Sequence, residues 1–88
     1  MKKLVSVQEI EGEGLEALLG QKVLLMGANY FYAGKLTGVN STCVELTEPS
    51  IVYETGPWDS KTYTAEQKLP SKTWYIQTAA IESFGVGK

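Results

Sequence analysis

Glycine recurs inside one strand-like stretch of this sequence, and its spacing restricts the possible fold more than any other feature. Tyr32, Gly34, Leu36 and Gly38 occupy every second position, so in an extended chain they fall on one face. An isolated glycine within a strand marks a bulge, a sharp bend or a close approach of two backbones. Two of them on one face suit a strand that curves around a small barrel. The spacing therefore predicts a strongly bent strand over residues 30–39.

Four further strands are predicted from short runs of apolar, aromatic and branched residues. Turn-forming residues follow the first strand at 27–29 and the second at 40–42. The five strands cover residues 23–26, 30–39, 43–54 with a break at Pro49, 73–77, and 81–86 after a pause at 78–80. Consecutive antiparallel strands with glycine bends favour a closed barrel, which has no free sheet edge. We expect an all-β fold, a small and strongly bent five-stranded barrel.

The rest of the chain is predicted to contain an arm, a short α-helix and one long loop. Residues 1–12 form the N-terminal arm. Three leucines mark one face of a helix over residues 13–20, namely Leu15, Leu18 and Leu19, and Gly20 suits its C-terminal cap. Residues 55–72 are mostly polar and form the loop between the third and fourth strands. All 88 residues belong to a single domain, 1–88.

The residue types that most enzymes need are missing. The sequence has no His, one Asp (Asp59) and one Cys (Cys43), so the usual pairs of nucleophile and base cannot be assembled. The glutamates between residues 9 and 16 are more typical of a solvated face than of a metal or acid–base site. We expect no enzymatic activity, no metal and no cofactor.

Charge and cysteine content restrict the partners and the compartment. The net charge of −2, with eight Lys and no Arg, argues against a strongly basic nucleic-acid binder but is compatible with a local basic patch. Cys43 has no second cysteine to pair with and is expected to be a small buried residue. No apolar run approaches the ~20 residues that span a bilayer. We expect a cytoplasmic protein without a membrane partner.

Three segments resemble the two sequence motifs of a known family. Residues 19–23 (LGQKV) and 32–40 (YAGKLTGVN) resemble the first Sm motif of the Sm, LSm and bacterial Hfq proteins. Residues 76–84 (IQTAAIESF) are similar to the second Sm motif in their apolar spacing. The order of helix, first motif, variable loop and second motif extends the resemblance over residues 15–86.

The resemblance implies a fold and an assembly. The fold would be a bent five-stranded Sm-like barrel with an N-terminal helix. Copies would join the fourth strand of one subunit to the fifth strand of the next and close a homo-oligomeric ring around a pore. The candidate residues for that interface are Trp74, Tyr75, Ile76, Ile81 and Phe84. The alternative is that these side chains only fill the core of one barrel.

The resemblance also points to residues that would bind single-stranded RNA or DNA. The family's aspartate falls on Asn40, and its arginine–glycine pair falls on Gln77 and Thr78. Asn40, Gln77 and Thr78 could hydrogen-bond to base edges in the pore, with Ser41 and Thr42 in the same turn. Asn40 could equally be a plain turn residue.

Other candidate contacts come from cations and aromatic rings. Lys35 or Lys72 could contact phosphates, and Tyr30, Phe31 or Trp58 could stack on bases. The alternative for an aromatic residue in a strand is the core. Trp58 stands in the predicted loop, where an exposed ring usually contacts a partner.

Three functions remain open from the sequence. The first is single-stranded nucleic-acid binding by a homo-oligomeric ring with a role in RNA or DNA processing. The second is a protein-interaction module on the same barrel, with its partner bound by the 55–72 loop. The third, an enzyme or small-ligand carrier, needs a polar pocket that the sequence does not indicate.

Overall fold

A computed structural model describes residues 14–88 of the chain, and the predicted arm (1–12) and Glu13 lie outside the described residues. The all-β class is confirmed, because antiparallel strands make up most of the described part. The strands are β1 (Lys22–Met26), β2 (Phe31–Val39), β3 (Cys43–Glu54), β4 (Ala65–Lys68), β5 (Thr73–Gln77) and β6 (Ser83–Val86). Among residues 14–88, no helix has the length and apolar character needed to cross a bilayer.

The predicted α-helix over residues 13–20 is wrong, because a 3₁₀ helix of five residues, Gly14–Leu18, stands in its place. Gly14 and Gly20 have positive φ angles of 68° and 87°, so the chain turns sharply at both ends of the segment. The stretch between them is too short for a stable α-helix. Leu15 and Leu18, three residues apart, lie on one side of the 3₁₀ helix and pack against the core, whereas Leu19 is exposed.

The sheet is open and has six strands, so the predicted closed five-stranded barrel is wrong in both respects. The hydrogen-bonded order is β4-β3-β2-β1-β6, and β5 pairs with β3 next to β4. Between β5 and β6 the chain leaves the sheet through a second 3₁₀ helix, Thr78–Ala80, where the sequence predicted a pause. β5 and β6 therefore each keep one edge without a strand partner in the described chain.

The predicted bends of β2 are confirmed at both glycines. The register of β2 against β3 shifts once around Gly34 and again next to Gly38. Opposite Gly34, β3 has two residues, Glu48 and Pro49, which form a β-bulge, and Glu48 has a φ of 54°. A Cβ atom on residue 34 would lie 3.1 Å from the Thr47 carbonyl oxygen and 3.3 Å from the Pro49 Cα. The predicted break at Pro49 is therefore a bulge inside one continuous third strand.

Both faces of the sheet are covered, and β1 is buried on both. One face carries the first core cluster: Val23, Leu25, Leu36, Val44, Leu46 and Ile76. The other face carries the second core cluster: Leu24, Ala33, Val52 and Tyr63. Successive residues of β1 enter opposite clusters, which explains why its apolar run has no polar alternation. Tyr63 follows β3 in sequence, so the segment after β3 folds back over the second cluster.

The predicted long loop over residues 55–72 contains a strand, which is a further correction. β4 pairs with the second half of β3 and divides the predicted loop into residues 55–64 and 69–72. Its sequence, AEQK, shows no apolar alternation because β4 is an edge strand with mostly exposed side chains. Backbone pairing, which has no signature in the residue pattern, therefore holds it in place.

Lys88 ties the segment 55–64 to the end of the chain. Its ammonium group donates hydrogen bonds to three carbonyl oxygens, of Thr55 (2.7 Å), Pro57 (2.8 Å) and Thr62 (3.2 Å). The same group lies 5.7 Å from the ring centre of Trp58 and 5.1 Å from that of Tyr63. Lys88 therefore holds Tyr63 over the second core cluster and fixes the position of this segment.

Lys88→Met keeps the length of the side chain and removes its charge. We expect the free energy of unfolding to fall by about 1–2 kcal/mol, since charge-assisted hydrogen bonds and two cation–π contacts are lost at a partly buried site. Urea unfolding measures the change, with Lys72→Met as the matched control at an exposed position. Equal effects of the two substitutions would show that the ammonium group of Lys88 has no special role.

Candidate functional site

The turn between β2 and β3 is built around the side chain of Asn40. Its Oδ1 accepts hydrogen bonds from the backbone N–H of Thr42 (2.8 Å), from the Thr42 hydroxyl (3.0 Å) and from the N–H of Cys43 (2.9 Å). These contacts form an Asx turn, which closes a short connection between two strands. Asn40 is thus a turn residue, and its Nδ2 amide group is the part that remains for a ligand.

The turn after β5 lies against the Asn40 turn. The backbone N–H of Thr78 donates to the Thr42 carbonyl oxygen (2.9 Å), and the Thr78 hydroxyl donates to the Ser41 carbonyl oxygen (3.1 Å). Gln77 is paired with Cys43 across the β3–β5 ladder, and its side chain is exposed. The five predicted hydrogen-bonding contacts to bases therefore form one surface, which we call the polar turn surface (residues 40–42, 77 and 78).

Much of the hydrogen-bonding capacity of the polar turn surface is used within the protein. The hydroxyl groups of Thr42 and Thr78 are both donors to neighbouring turn oxygens. The exposed carboxamide of Gln77, the Nδ2 of Asn40 and the hydroxyl of Ser41 are the groups best placed to meet a ligand. The surface is held rigidly by its internal bonds, so it can present these groups without reorganisation.

A carboxylate lies on the same strands, two residues from the Cys43–Gln77 pair. Glu45 accepts a hydrogen bond from Thr37 at Oε1 (2.8 Å) and one from Tyr75 at Oε2 (2.8 Å). The pKa of Glu45 lies below its ordinary value because Thr37, and then Tyr75, donate to its charged form. The same contact raises the pKa of Tyr75, since its proton is shared with a carboxylate. Glu45 therefore stays charged and links β2, β3 and β5.

Of the two predicted phosphate contacts, Lys72 lies exposed just before β5, at the opposite end of that strand from Gln77, and is not part of the candidate site. Lys35 also stands apart from the polar turn surface. It precedes Asn40 by five residues along β2, a distance of about 16 Å in an extended strand. Its neighbours are other lysines, and they line a cleft of about 580 Å³ on the face of the second core cluster. The lysines of this cleft, which we call the lysine cleft, are Lys22, Lys35, Lys61, Lys68 and Lys88.

The sequence did not predict the lysine cleft. Lys22 and Lys35 are far apart in sequence but directly opposite each other in the β1–β2 ladder. The pair could have been predicted only from the register of the β1–β2 hairpin, that is, from knowing which residues of the two strands are opposite each other. Lys61 and Lys68 join it because the segment 55–64 folds back over the sheet and β4 pairs with the second half of β3, which no local pattern indicates.

The three aromatic stacking candidates have different surroundings. Phe31 is half-buried against the second core cluster, so the core alternative is correct for it. Tyr30 is exposed, and its ring centre lies 6.2 Å from that of Tyr32, with an angle of 54° between the ring planes. Tyr30 also lines a hollow of about 520 Å³ that extends to the second 3₁₀ helix. Trp58 is 65% exposed. Tyr30 and Trp58 therefore remain available to a partner.

The interface candidates divide between the core and the surface. Ile76 is buried in the first core cluster, and Trp74 and Ile81 are partly buried against it. These three side chains fill the core of a single chain, as the alternative reading of the sequence had it. Tyr75 and Phe84 are exposed by 62% and 43%. They are the two interface candidates whose side chains are exposed on the described chain.

Within residues 14–88, no three His, Cys, Asp or Glu side chains lie together in a way that could hold a metal ion. Cys43, expected to be buried, is partly buried at the start of β3.

Comparison with known proteins gives no relative. No model of a known protein family matches the chain, and no curated protein matches it either.

The Glu45–Tyr75 contact predicts a pH-dependent stability. A group whose pKa is lowered by folding adds stability above its unfolded pKa, and that stability is lost as the pH falls through the folded pKa. We expect wild type to be more stable than Glu45→Gln at pH 7. The difference should begin to shrink as the pH falls below the unfolded pKa of Glu, about 4.3, and should be lost only as the pH falls through the lower folded pKa of Glu45. Urea unfolding between pH 3 and 7 measures this, with Glu54→Gln on the same strand as control. A difference that is constant over this range would contradict the assignment.

Proposed function

We propose that this chain is a divergent Sm-like protein that binds single-stranded RNA, or single-stranded DNA, as a homo-oligomeric ring and without catalysis. The order of elements supports the proposal: a short helical turn, three strands, and two last strands separated by a 3₁₀ helix. In this assignment β5 and β6 correspond to the family's fourth and fifth strands, and β4 extends the hairpin with β3. The single Cys43 gives no sign of an oxidising compartment, so the cytoplasm is kept as the proposed location.

The observation that carries the proposal is the convergence of the two turns. Residues 40–42 form the turn at the end of the first motif, residues 77–78 belong to the second motif, and the two hydrogen bonds of Thr78 join them. The family resemblance puts the nucleic-acid contacts at these positions. A rigid surface with exposed amide and hydroxyl groups suits the edges of unpaired bases, which need donors and acceptors at defined places.

The ring is supported by apolar side chains that one chain leaves uncovered. In the β1–β6 ladder, Phe84 is opposite Leu25 and Val86 is opposite Val23. Side chains of directly opposed residues lie on the same face of the sheet, so Phe84 and Val86 share the face of the first core cluster. They are nevertheless 43% and 65% exposed, beside the edge of β6 that has no strand partner among residues 14–88. A β5 strand from a second copy would pair with this edge and cover both side chains.

Gln77→Ala tests the nucleic-acid site. Removal of its carboxamide is expected to weaken binding of a short U- or A-rich oligonucleotide about fivefold, as the loss of about 1 kcal/mol of hydrogen bonding predicts. Fluorescence anisotropy at low salt, with RNA and DNA of the same sequence, measures the affinity. Thr73→Ala is the matched control, because Thr73 is exposed at the other end of β5. Equal affinities of Gln77→Ala and wild type contradict the site, and no binding by wild type contradicts the function.

The second candidate function is a protein-interaction module, and the exposed Trp58 is the observation that favours it. A nuclease-resistant partner that Trp58→Ala loses and Gln77→Ala retains would support this function. Binding of oligonucleotides by Trp58→Ala with the affinity of wild type would be compatible with both functions, so the pull-down decides.

A further inference from the structure

We infer that the lysine cleft is a second contact site for nucleic acid, which binds the phosphate groups of the same single strand away from the polar turn surface. The inference rests on the proposed function and adds a site that the family resemblance does not assign to this chain. Five lysines line the cleft, together with Glu48 and Glu66. Their ligand is a phosphodiester backbone, because ammonium groups bind phosphates as point charges without reading the base.

Charge is strongly segregated on the described part of the chain. The five lysines and two glutamates give the cleft a net charge of +3. The remaining lysine and five carboxylates of residues 14–88 give the rest of the surface a net charge of −4. A protein with an overall charge of −2 thus concentrates its cations in one hollow. Such a concave positive site raises the local concentration of an anion and directs its approach.

The pair at the centre of the cleft is unfavourable without an anion. Lys22 and Lys35 are direct cross-strand partners, and like charges in that position destabilise a sheet. Both residues are exposed, and their neighbours on the same face, Leu24 and Ala33, belong to the second core cluster. The two lysine side chains therefore start next to each other, beside apolar residues on the same face of the sheet. A phosphate between them would remove the repulsion.

One wall of the cleft is the segment 55–64, and Lys88 fixes its position. The ammonium group of Lys88 is bound to three carbonyl oxygens of the segment 55–62 and is already satisfied. Lys88 thus positions the wall that carries Lys61, while Lys68 stands on β4, opposite Ser50 of β3. Lys22, Lys35, Lys61 and Lys68 are the phosphate contacts, and Lys88 is a positioning residue.

The double variant Lys22→Gln/Lys35→Gln tests the site. We expect a roughly tenfold lower affinity for a single-stranded oligonucleotide at low salt. We also expect the slope of log K against log salt to become shallower by about 1.4, since each phosphate contact on a single strand contributes about 0.7. Lys72→Gln is the matched control. The sequence offered Lys72 as a phosphate contact, but it is exposed, outside the cleft and outside the polar turn surface, so this inference gives it no contact and both quantities should stay unchanged. Glu66→Gln, which removes a negative charge from the cleft, should raise the affinity.

The outcomes separate this inference from the proposed function. A double variant with wild-type affinity and slope, beside a weakened Gln77→Ala, overturns the lysine cleft and keeps the polar turn surface. An equal loss in Lys72→Gln overturns it as well, since attraction would then follow total charge. No binding by wild type overturns both. Urea unfolding shows whether the double variant is still folded. We expect its free energy of unfolding to be at least that of wild type, because a repulsive pair is removed.

Discussion

The β-bulge of Glu48 and Pro49 opposite Gly34 is the constraint on which the rest of the structure depends. Residues before the bulge pair with β5, and residues after it pair with β4, so β3 changes its outer partner at this point. Gly34 permits the bulge because a Cβ there would crowd the backbone of β3. The bend it introduces lets the sheet enclose the first core cluster on one face while the segment 55–64 covers the second on the other.

The two halves of β3 support two different surfaces. The first half of β3, through Cys43 and Glu45, runs beside β5 and carries the polar turn surface at its start. The second half pairs with β4, which places Lys68 in the same cleft as Lys22 and Lys35. Hydrogen-bonding groups and ammonium groups are thereby separated. In the proposed function, the former would read base edges and the latter would hold the backbone.

The sequence predicted those features that local patterns encode and missed those that depend on register. The glycine bends, the strand 73–77 and the pause at 78–80 follow from residue spacing, and the structure has them. The strand β4 has no apolar alternation, and the helix 13–20 is cut short by two positive-φ glycines. The polar turn surface was predicted through motif order, whereas the lysine cleft requires knowing that residues 22 and 35 are opposite each other.

The central claim is that one chain is an incomplete unit whose β5 and β6 edges pair with those of other copies. Light scattering on the purified protein tests it most directly, because the mass of a single chain is 9.6 kDa. The account predicts one defined species of several chains that persists at high salt, since exposed apolar side chains such as Phe84 and Val86 would be covered on assembly. A single species of 9.6 kDa at all concentrations would contradict it.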